Sequence, residues 1–169
     1  MNRQYLCCTM NYIVMGVSGC GKTTIAKGIS QKLNIPFYDA DDFHSMENKE
    51  KMSKGIPLND DDRAGWLQAL HDLLKTEESN KGAALACSAL KEKYRAVLLQ
   101  GLTRPVQWIV LHGDYDLIWN RMNARKDHYM PAALLRSQFE TIEYPDYGLH
   151  FNIEDSPDSI IHKILEPEK

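Results

Sequence analysis

Three features are scarce in this chain of 169 residues: long apolar runs, paired cysteines and an excess of charge of one sign. No apolar stretch approaches the ~20 residues that a membrane-spanning helix needs, which argues against a membrane-embedded protein. The net charge is −3, and acidic and basic residues are interspersed. The chain therefore lacks the broad excess of positive charge that is typical of proteins that bind nucleic acid or a membrane surface. Its important positive charges should be local.

The chain has four cysteines, which are Cys7, Cys8, Cys20 and Cys87. They form neither C-x-x-C pairs nor a disulfide framework, which is typical of a reducing, cytoplasmic setting. The length fits one domain with a substantial core, so we expect a single domain over residues 1–169. Residues 1–10 precede the first strand pattern and are interpreted as an N-terminal extension.

The strongest positive signal runs from Gly16 to Thr23. This segment reads Gly-Val-Ser-Gly-Cys-Gly-Lys-Thr and matches the phosphate-binding loop G-x-x-x-x-G-K-S/T. An apolar run, 12–15, precedes it, and a segment with helical periodicity, 24–33, follows it, which is the context that the motif requires. Such a loop turns successive backbone N–H groups around phosphate oxygens at a helix N-terminus, so it predicts nucleotide binding over a chance match.

Each position of this loop has a predicted role. Lys22 supplies a mobile positive charge to the β- and γ-phosphates of ATP, and the Thr23 hydroxyl is a candidate ligand for Mg²⁺. The predicted ATP-binding residues of the loop and its helix are Gly16, Val17, Ser18, Gly19, Cys20, Gly21, Lys22, Thr23 and Thr24.

Strand patterns alternate with helical patterns along the chain. We predict strands at 12–15, 36–39, 83–87, 106–112 and 149–153, and helices at 24–33, after 59–62, and at 91–99, 115–123, 131–142 and 157–165. This alternation indicates βαβ units, hence an α/β P-loop NTPase fold with a five-stranded parallel sheet flanked by helices. The active site should lie at the carboxyl ends of the strands. The acidic run 60–62 is a candidate metal cluster, but a helix cap with first-turn carboxylates is favoured.

The second strand ends in carboxylates. Asp39 and Asp41 are two residues apart and lie on the same side if the strand conformation persists. We assign Asp39 to the magnesium shell and Asp41 to the acceptor hydroxyl, whose proton it accepts. A solvated turn that caps the next helix is the alternative, and it suits Asp42 and His44.

Arg121 and Arg125 are four residues apart and are neighbours on one helical face, where two guanidinium groups repel each other unless anions lie between them. This spacing favours a phosphate clamp over a solvated charge run. We predict a lid over about 121–131 that closes over ATP, excludes water and brings positive charge to the transferring phosphoryl group.

From about residue 15 to residue 145 the chain resembles the gluconokinases, small P-loop carbohydrate kinases related in fold to shikimate and nucleoside monophosphate kinases. The matching positions, all in register, are 15–23, 39–44, 48, 51–52, 55–63, 66–67, 87–91, 94–95, 121, 125, 128–130, 134–135 and 137–141. Outside the phosphate loop each motif is weak alone, but together they are highly specific.

The resemblance implies ATP- and Mg²⁺-dependent phosphorylation of D-gluconate on its C6 hydroxyl, and a homodimer. A pocket for this polyol carboxylate needs positive and hydrogen-bonding groups. The predicted substrate-binding residues are Asp41, His44, Lys51, Arg63, Lys91, Arg95 and Gln138. Arg63 is our first choice for the carboxylate or a nearby phosphate, followed by Lys91 and Arg95.

Two rival functions stay open at this point. One is a kinase of the same architecture that acts on shikimate, another sugar acid or a nucleoside monophosphate. The other is a non-catalytic nucleotide switch, which would not need the carboxylate pair or the lid arginines.

Two departures from the family pattern bear on the chemistry. Cys20 stands where the family more often has serine, which puts a thiol close to an anion site, a position where oxidation can inhibit. No aspartate ends the strand 83–87, so the second magnesium aspartate usual in such kinases is either absent or supplied by Asp39, which supports the metal role given to Asp39.

Overall fold

The computed structural model describes residues 10–124 and 132–166, and within them five strands form one parallel sheet. The strands are β1 (Asn11–Met15), β2 (Phe37–Asp39), β3 (Ala84–Ala86), β4 (Val106–His112) and β5 (Leu149–Asn152). Their order across the sheet is β2-β3-β1-β4-β5, and every neighbouring pair is parallel. The predicted five-stranded α/β fold is confirmed, and β1, which leads into the phosphate loop, is the central strand.

Seven α-helices lie within the described residues. They are α1 (Lys22–Leu33), α2 (Met46–Ser53), α3 (Asp60–Glu78), α4 (Glu92–Leu99), α5 (Tyr115–Asn123), α6 (Ala132–Thr141) and α7 (Pro157–Leu165). None of these is both long and apolar enough to cross a bilayer. A short 3-10 helix, Ala40–Phe43, follows β2 directly.

The core has two layers, one on each face of the sheet. Val14 and Ile109 pack with α1 and α7 on one face, while Ile13 and Val110 pack with α3 and α4 on the other. All four strand residues are fully buried. A parallel sheet covered on both faces reads as a continuous apolar run, which is why β1 and β4 were recognisable in the sequence.

The element boundaries agree closely with the sequence predictions. Residues 106–112, 115–123 and 157–165 have the expected bounds, and the other predicted ends differ by one or two residues. The sequence prediction missed α2 and the 3-10 helix. Helix α2 has no apolar periodicity because its buried residue is polar: Asn48 donates from Nδ2 to the Asp62 carbonyl oxygen over 2.6 Å.

The acidic run at the start of α3 is a helix cap, as predicted. The Asn59 side chain accepts a hydrogen bond from the Asp62 N–H (2.8 Å), and the Asp62 carboxylate accepts one from the Asn59 N–H (3.0 Å). This reciprocal pair is a capping box. No cluster of three or more His, Cys, Asp or Glu side chains suited to a metal was found over residues 10–124 and 132–166.

Candidate active site

The phosphate loop joins β1 to α1 at the centre of the carboxyl edge of the sheet. Gly19 has φ +79°, and a Cβ there would lie 2.5 Å from Met122 Cγ and 3.2 Å from Ile118 Cγ2 of α5. Glycine is therefore required both by the left-handed backbone and by the close approach of α5. The loop ends at Gly21, which precedes the first turn of α1.

Lys22 folds back over this loop. Its Nζ donates to the Val17 carbonyl oxygen over 2.9 Å, which holds the ammonium group beside the backbone N–H groups of the loop. Because a phosphate attracts the same ammonium group and the same N–H donors, the arrangement is preorganised for an anion.

Thr23 and Asp39 meet where the start of α1 lies beside the end of β2. The Thr23 hydroxyl donates to Asp39 Oδ2 over 3.0 Å. Asp39, Ala86 and Val14 are in register across β2, β3 and β1, and the small Ala86 side chain leaves room for this contact. The hydroxyl and the carboxylate both offer hard oxygen ligands, which suit Mg²⁺. Phosphate and water oxygens would supply its other ligands.

Asp41 lies in the 3-10 helix beyond β2, and its N–H donates to Asp39 Oδ1 over 3.1 Å. Desolvation in the recess raises the pKa of the Asp41 carboxyl most, Lys22 opposes this, and Asp39 and Asp42 add to it. The side chain is 81 % exposed and lines the cavity beside Lys22. Asp41 is therefore placed as a candidate proton acceptor for a hydroxyl group in the cavity.

A cavity of about 260 Å³ opens beside the loop. Its polar lining residues are Ser18, Lys22, Asp41, His44, Asn59, Asp60, Arg63, Ser88, Lys91, Ser137, Gln138 and Thr141. They come from the phosphate loop, the segment after β2, the starts of α3 and α4, and α6. A small cavity with mostly polar walls suits a small, highly hydroxylated ligand.

Two of the predicted substrate-binding cations share one wall of this cavity. The guanidinium carbon of Arg63 lies 5.4 Å from the ring centroid of Tyr94, and Lys91 Nζ lies 5.6 Å from the same centroid. Arg63 also donates to the Leu58 carbonyl oxygen, and Lys91 Nζ lies 3.5 Å from Asp60 Oδ1. The two cations are thus held in place on that wall, where the Asp60 carboxylate offsets part of the charge of Lys91.

His44 lies at the cavity wall as a buried, stacked imidazole. Its ring centroid is 4.5 Å from that of Trp66, with an angle of 11° between the planes. Burial lowers the pKa of His44 to about 4, and the nearby Arg63 and Lys49 charges act in the same direction. The side chain is therefore neutral at neutral pH.

Gln138 of α6 contacts the phosphate loop and also lines the cavity. Its Oε1 accepts a hydrogen bond from the Ser18 N–H (2.7 Å), and its Nε2 donates to Ser18 Oγ (3.0 Å). Because a backbone N–H can only donate, this contact fixes the orientation of the amide. Gln138 thus lies at the junction of the phosphate loop and the cavity.

Lys51, a predicted substrate-binding residue, is not among the residues that line this cavity. Its Nζ lies 2.5 Å from Asp62 Oδ1, so it connects α2 to the start of α3. The structure gives Lys51 a role in positioning the wall that carries Arg63.

Arg95 also lies outside the cavity lining, and its prediction as a substrate-binding residue needs correction. Only 1 % of the residue is exposed. The guanidinium group donates to the Ala89 and Glu143 carbonyl oxygens (2.7 and 2.8 Å) and to the Glu92 carboxylate (2.7 Å). Arg95 points into the protein, where it connects α4 to the segment before β5.

Arg121 is exposed near the end of α5, and its Nη2 donates to the Ile153 carbonyl oxygen over 2.9 Å. Its charge lowers the pKa of Cys20, against the dominant effect of burial, so it lies within electrostatic reach of the phosphate loop. Arg125 and the remainder of the predicted lid, 125–131, lie outside the described residues. The two-arginine clamp therefore stays a prediction.

Within the loop, Val17 and Cys20 have buried side chains, and Thr24 is exposed on α1. Burial raises the pKa of the Cys20 thiol, which opposes thiolate formation. A buried, protonated thiol is a poor target for oxidation, so the structure argues against redox sensitivity at Cys20, a question that the sequence left open. The side chains of Val17 and Cys20 are therefore not available to a phosphate.

Sequence reasoning missed Asp60 and Trp66 as parts of the site. Asp60 was explained as a first-turn carboxylate, yet it also lines the cavity and accepts a hydrogen bond from the Tyr94 hydroxyl (2.5 Å). Trp66 packs in the apolar layer between α3 and the sheet, and it also stacks on His44. Both residues lie within the segment that resembles gluconokinases, and this location was the signal from which the sequence could have indicated them as site residues.

Comparisons with known proteins agree with this geometry. A family model described as shikimate kinase matches residues 18–162. A probable gluconokinase from Rattus norvegicus is 41 % identical, with 93 % of this chain and 96 % of that protein aligned. The thermoresistant gluconokinase of Escherichia coli strain K12 is 44 % identical over 79 % of this chain and 77 % of its own.

Solved structures lead to the same group. The crystal structure of a gluconokinase from Sinorhizobium meliloti 1021 superposes with a TM-score of 0.85 at 35 % identity, covering 94 % of this chain and 90 % of that one. Together with the phosphate loop, the carboxylate pair and the polar cavity, these matches show that the chain is a kinase and that it belongs to the gluconokinase family.

Proposed function

We propose that this kinase transfers the γ-phosphoryl group of ATP to the C6 hydroxyl of D-gluconate, giving 6-phospho-D-gluconate and ADP. The observation that carries the proposal is a single cavity. Lys22 of the phosphate loop and Asp41 line one part of it, and the cations Arg63 and Lys91 line another. The relatives named as gluconokinases support this acceptor over shikimate or a nucleoside monophosphate.

The phosphate loop binds the triphosphate of ATP through its backbone N–H groups and Lys22. Thr23 and Asp39 would hold Mg²⁺, whose charge offsets the negative charge of the phosphates when it is bound. Arg121 and Arg125 complete the positive surroundings of the phosphates in this proposal.

The gluconate carboxylate binds to Arg63 and Lys91. Charge-assisted hydrogen bonds from a guanidinium and an ammonium group suit a carboxylate better than neutral donors do. His44 and Gln138 are assigned to hydroxyl groups because both lie at the cavity wall and neither carries a charge at neutral pH. A neutral polyol would lack the contact with the cations, which makes the carboxylate a determinant of specificity.

Phosphoryl transfer has a loose transition state, so alignment and charge neutralisation supply most of the acceleration. Asp41 orients the attacking hydroxyl and takes its proton. Lys22 stabilises the charge on the transferring group and on the leaving ADP.

An acceptor panel tests the proposal. ADP formation from MgATP is measured with gluconate, shikimate and AMP at matched concentrations, and without an acceptor. Gluconate is expected to give by far the highest kcat/KM. Preferential phosphorylation of shikimate or AMP would contradict the proposed acceptor, and equal ATP hydrolysis under all four conditions would favour a nucleotide switch.

Two further proposals concern the setting of the enzyme. The thiols of Cys20 and Cys87 are both free and buried, which supports a reducing, cytoplasmic location. Membership of the gluconokinase family supports a homodimer, which light scattering coupled to gel filtration tests directly.

A further inference from the structure

Two polar groups of the cavity wall face each other at a distance that leaves them unbonded. His44 Nε2 lies 4.0 Å from Asp41 Oδ1, whereas a direct hydrogen bond between these atoms would be about 2.9 Å long. Both residues line the cavity, and Lys22 lines it with them. The gap therefore lies beside the position to which the phosphoryl group is delivered.

The other nitrogen of His44 determines where the imidazole carries its proton. Nδ1 is sealed from solvent and has no hydrogen-bond partner among the described residues. A proton on Nδ1 would be a buried N–H donor without an acceptor, which is costly. A proton on Nε2 faces the Asp41 carboxylate instead, so the neutral ring has its N–H on the Asp41 side.

The imidazole is held rigidly in this orientation. It is stacked on Trp66, and Trp66 Nε1 donates to the Ala40 carbonyl oxygen over 2.7 Å. Ala40 immediately precedes Asp41 in the 3-10 helix. The backbone turn before Asp41 thus holds the imidazole on its side of the gap, and little of its side-chain entropy remains to be lost when a ligand enters.

We infer that the Nε2–H group of His44 and the Asp41 carboxylate together form the cradle for the hydroxyl group that is phosphorylated. A hydroxyl oxygen in the gap could lie about 2.8 Å from both Nε2 and Oδ1. The angle at that oxygen between the two atoms would be roughly 90°, which two hydrogen bonds to one hydroxyl group can adopt. The inference deepens the proposed function and rests on it, because it names the atoms that hold the acceptor hydroxyl.

The cradle also orients the attacking lone pair. The hydroxyl oxygen accepts from His44 with one lone pair, and its hydrogen points to Asp41, so the second lone pair is left for phosphorus. As the new O–P bond forms, the bond between the γ-phosphorus and the β,γ-bridging oxygen breaks, and its electron pair leaves with ADP. The hydroxyl proton passes to Asp41, while His44 donates a hydrogen bond and keeps its own proton throughout.

Three substitutions at His44 separate these roles. Gln can place an amide N–H near the position of Nε2, Asn is too short to do so, and Phe keeps a stacked ring without a donor. We expect H44F and H44N to lower kcat/KM for gluconate about 10- to 100-fold, because each removes a hydrogen bond to a reacting group. H44Q should recover most of that loss. The KM for ATP should stay within about threefold in all of them.

His112 provides the matched control. It is also a partly buried imidazole stacked on an aromatic ring, with its centroid 4.2 Å from that of Tyr144, but it does not line the cavity. H112F should therefore leave kcat/KM for gluconate within about threefold of the parent. Thermal unfolding of each variant shows whether it is folded under the assay conditions.

The outcomes separate this inference from the proposed function. If the wild-type enzyme does not phosphorylate gluconate, the proposed function fails. If the wild-type enzyme is active and H44F retains activity within about threefold, or H44Q is no better than H44N, the cradle is wrong while the proposed function stands. Should H44F not fold, the comparison of H44Q with H44N decides the question.

Discussion

At the scale of single residues, the chemistry depends on a few side chains whose neighbours fix their protonation and direction. Asp41 is open to water beside Lys22, whereas His44 stays neutral because it is buried near Arg63 and Lys49. Lys22 is held beside the loop by the Val17 carbonyl oxygen. A carboxylate, a neutral donor and a cation therefore converge on the phosphate end of the cavity.

The role of Asp41 is tested by its isosteric amide. Asp41→Asn removes the proton acceptor with little change in shape, so kcat should fall by about 10²-fold. Asp42→Asn, one residue along the same 3-10 helix, is the control and should have little effect, since Asp42 does not line the cavity. Steady-state kinetics with gluconate measure both, and a D41N enzyme within about threefold of the parent would disprove the assignment.

His44 also predicts how stability depends on pH. Its pKa is about 4 in the folded protein and near 6.5 in the unfolded chain, so between these values the unfolded state binds more protons. Stability from this group is complete above pH 6.5 and is lost as the pH falls towards 4, by up to about 3 kcal/mol. Urea denaturation at several pH values, compared between wild type and H44Q, isolates the effect. Parallel pH profiles would contradict it.

The sequence predicted which types of residue lie near the site more reliably than it predicted the direction in which each side chain points. The phosphate loop and the Asp39–Asp41 pair are local patterns, so spacing alone predicted their place in the fold. Lys51 and Arg95 are also polar residues of motif segments, but tertiary contacts with Asp62 and Glu143 turn them to structural roles. Sequence spacing carries no information about such distant partners.

At the scale of secondary structure, the starts of α3 and α4 form the wall that we assign to the gluconate carboxylate. The capping box of Asn59 and Asp62 sets where α3 begins, and this places Arg63 one turn into the helix. Lys91 precedes α4 and lies over the same Tyr94 ring as Arg63. Helix α2, which sequence reasoning missed, supports this wall through Asn48 and Lys51.

This wall predicts unequal effects on the KM for gluconate when two nearby cations are replaced. Arg63→Gln should raise the KM for gluconate about 10- to 100-fold, because a charge-assisted hydrogen bond to the carboxylate is lost, and leave the KM for ATP nearly unchanged. Lys51→Gln should leave the KM for gluconate within about threefold, since Lys51 does not line the cavity and makes no contact with the substrate in this proposal. Initial-rate kinetics with each substrate varied separately measure both constants. A larger effect for K51Q than for R63Q would refute this assignment of the carboxylate site.

At the scale of the whole molecule, the sheet order brings the two halves of the site together. The central strand β1 leads to the phosphate loop, and β2, at one edge, delivers Asp39 and Asp41 across the short strand β3. The βαβ alternation predicted this architecture, because parallel strands end at one edge of the sheet. Sequence could not predict the cavity itself, since its walls come from segments that are distant in the chain.

Ligand binding should stabilise the whole fold. A ligand at 100 times its Kd adds about 2.7 kcal/mol to the free energy of unfolding, which corresponds to a rise in Tm of about 5–10 °C for a protein of this size. MgATP is expected to raise the Tm of the wild type in this way, and Lys22→Met should abolish most of the shift. Lys27→Met, exposed on the same helix, is the control and should respond like wild type. An equal shift in K22M would show that Lys22 does not hold the phosphates.

The most direct test of the central claim is the identity of the product. Gluconate and MgATP are incubated with the wild-type protein, and 6-phosphogluconate is measured with a coupled assay specific for that compound. The account predicts one 6-phosphogluconate for each ADP released, and no product with D41N above about 1 % of the wild-type rate. ADP release without 6-phosphogluconate, or a phosphate on any hydroxyl other than C6, would contradict it.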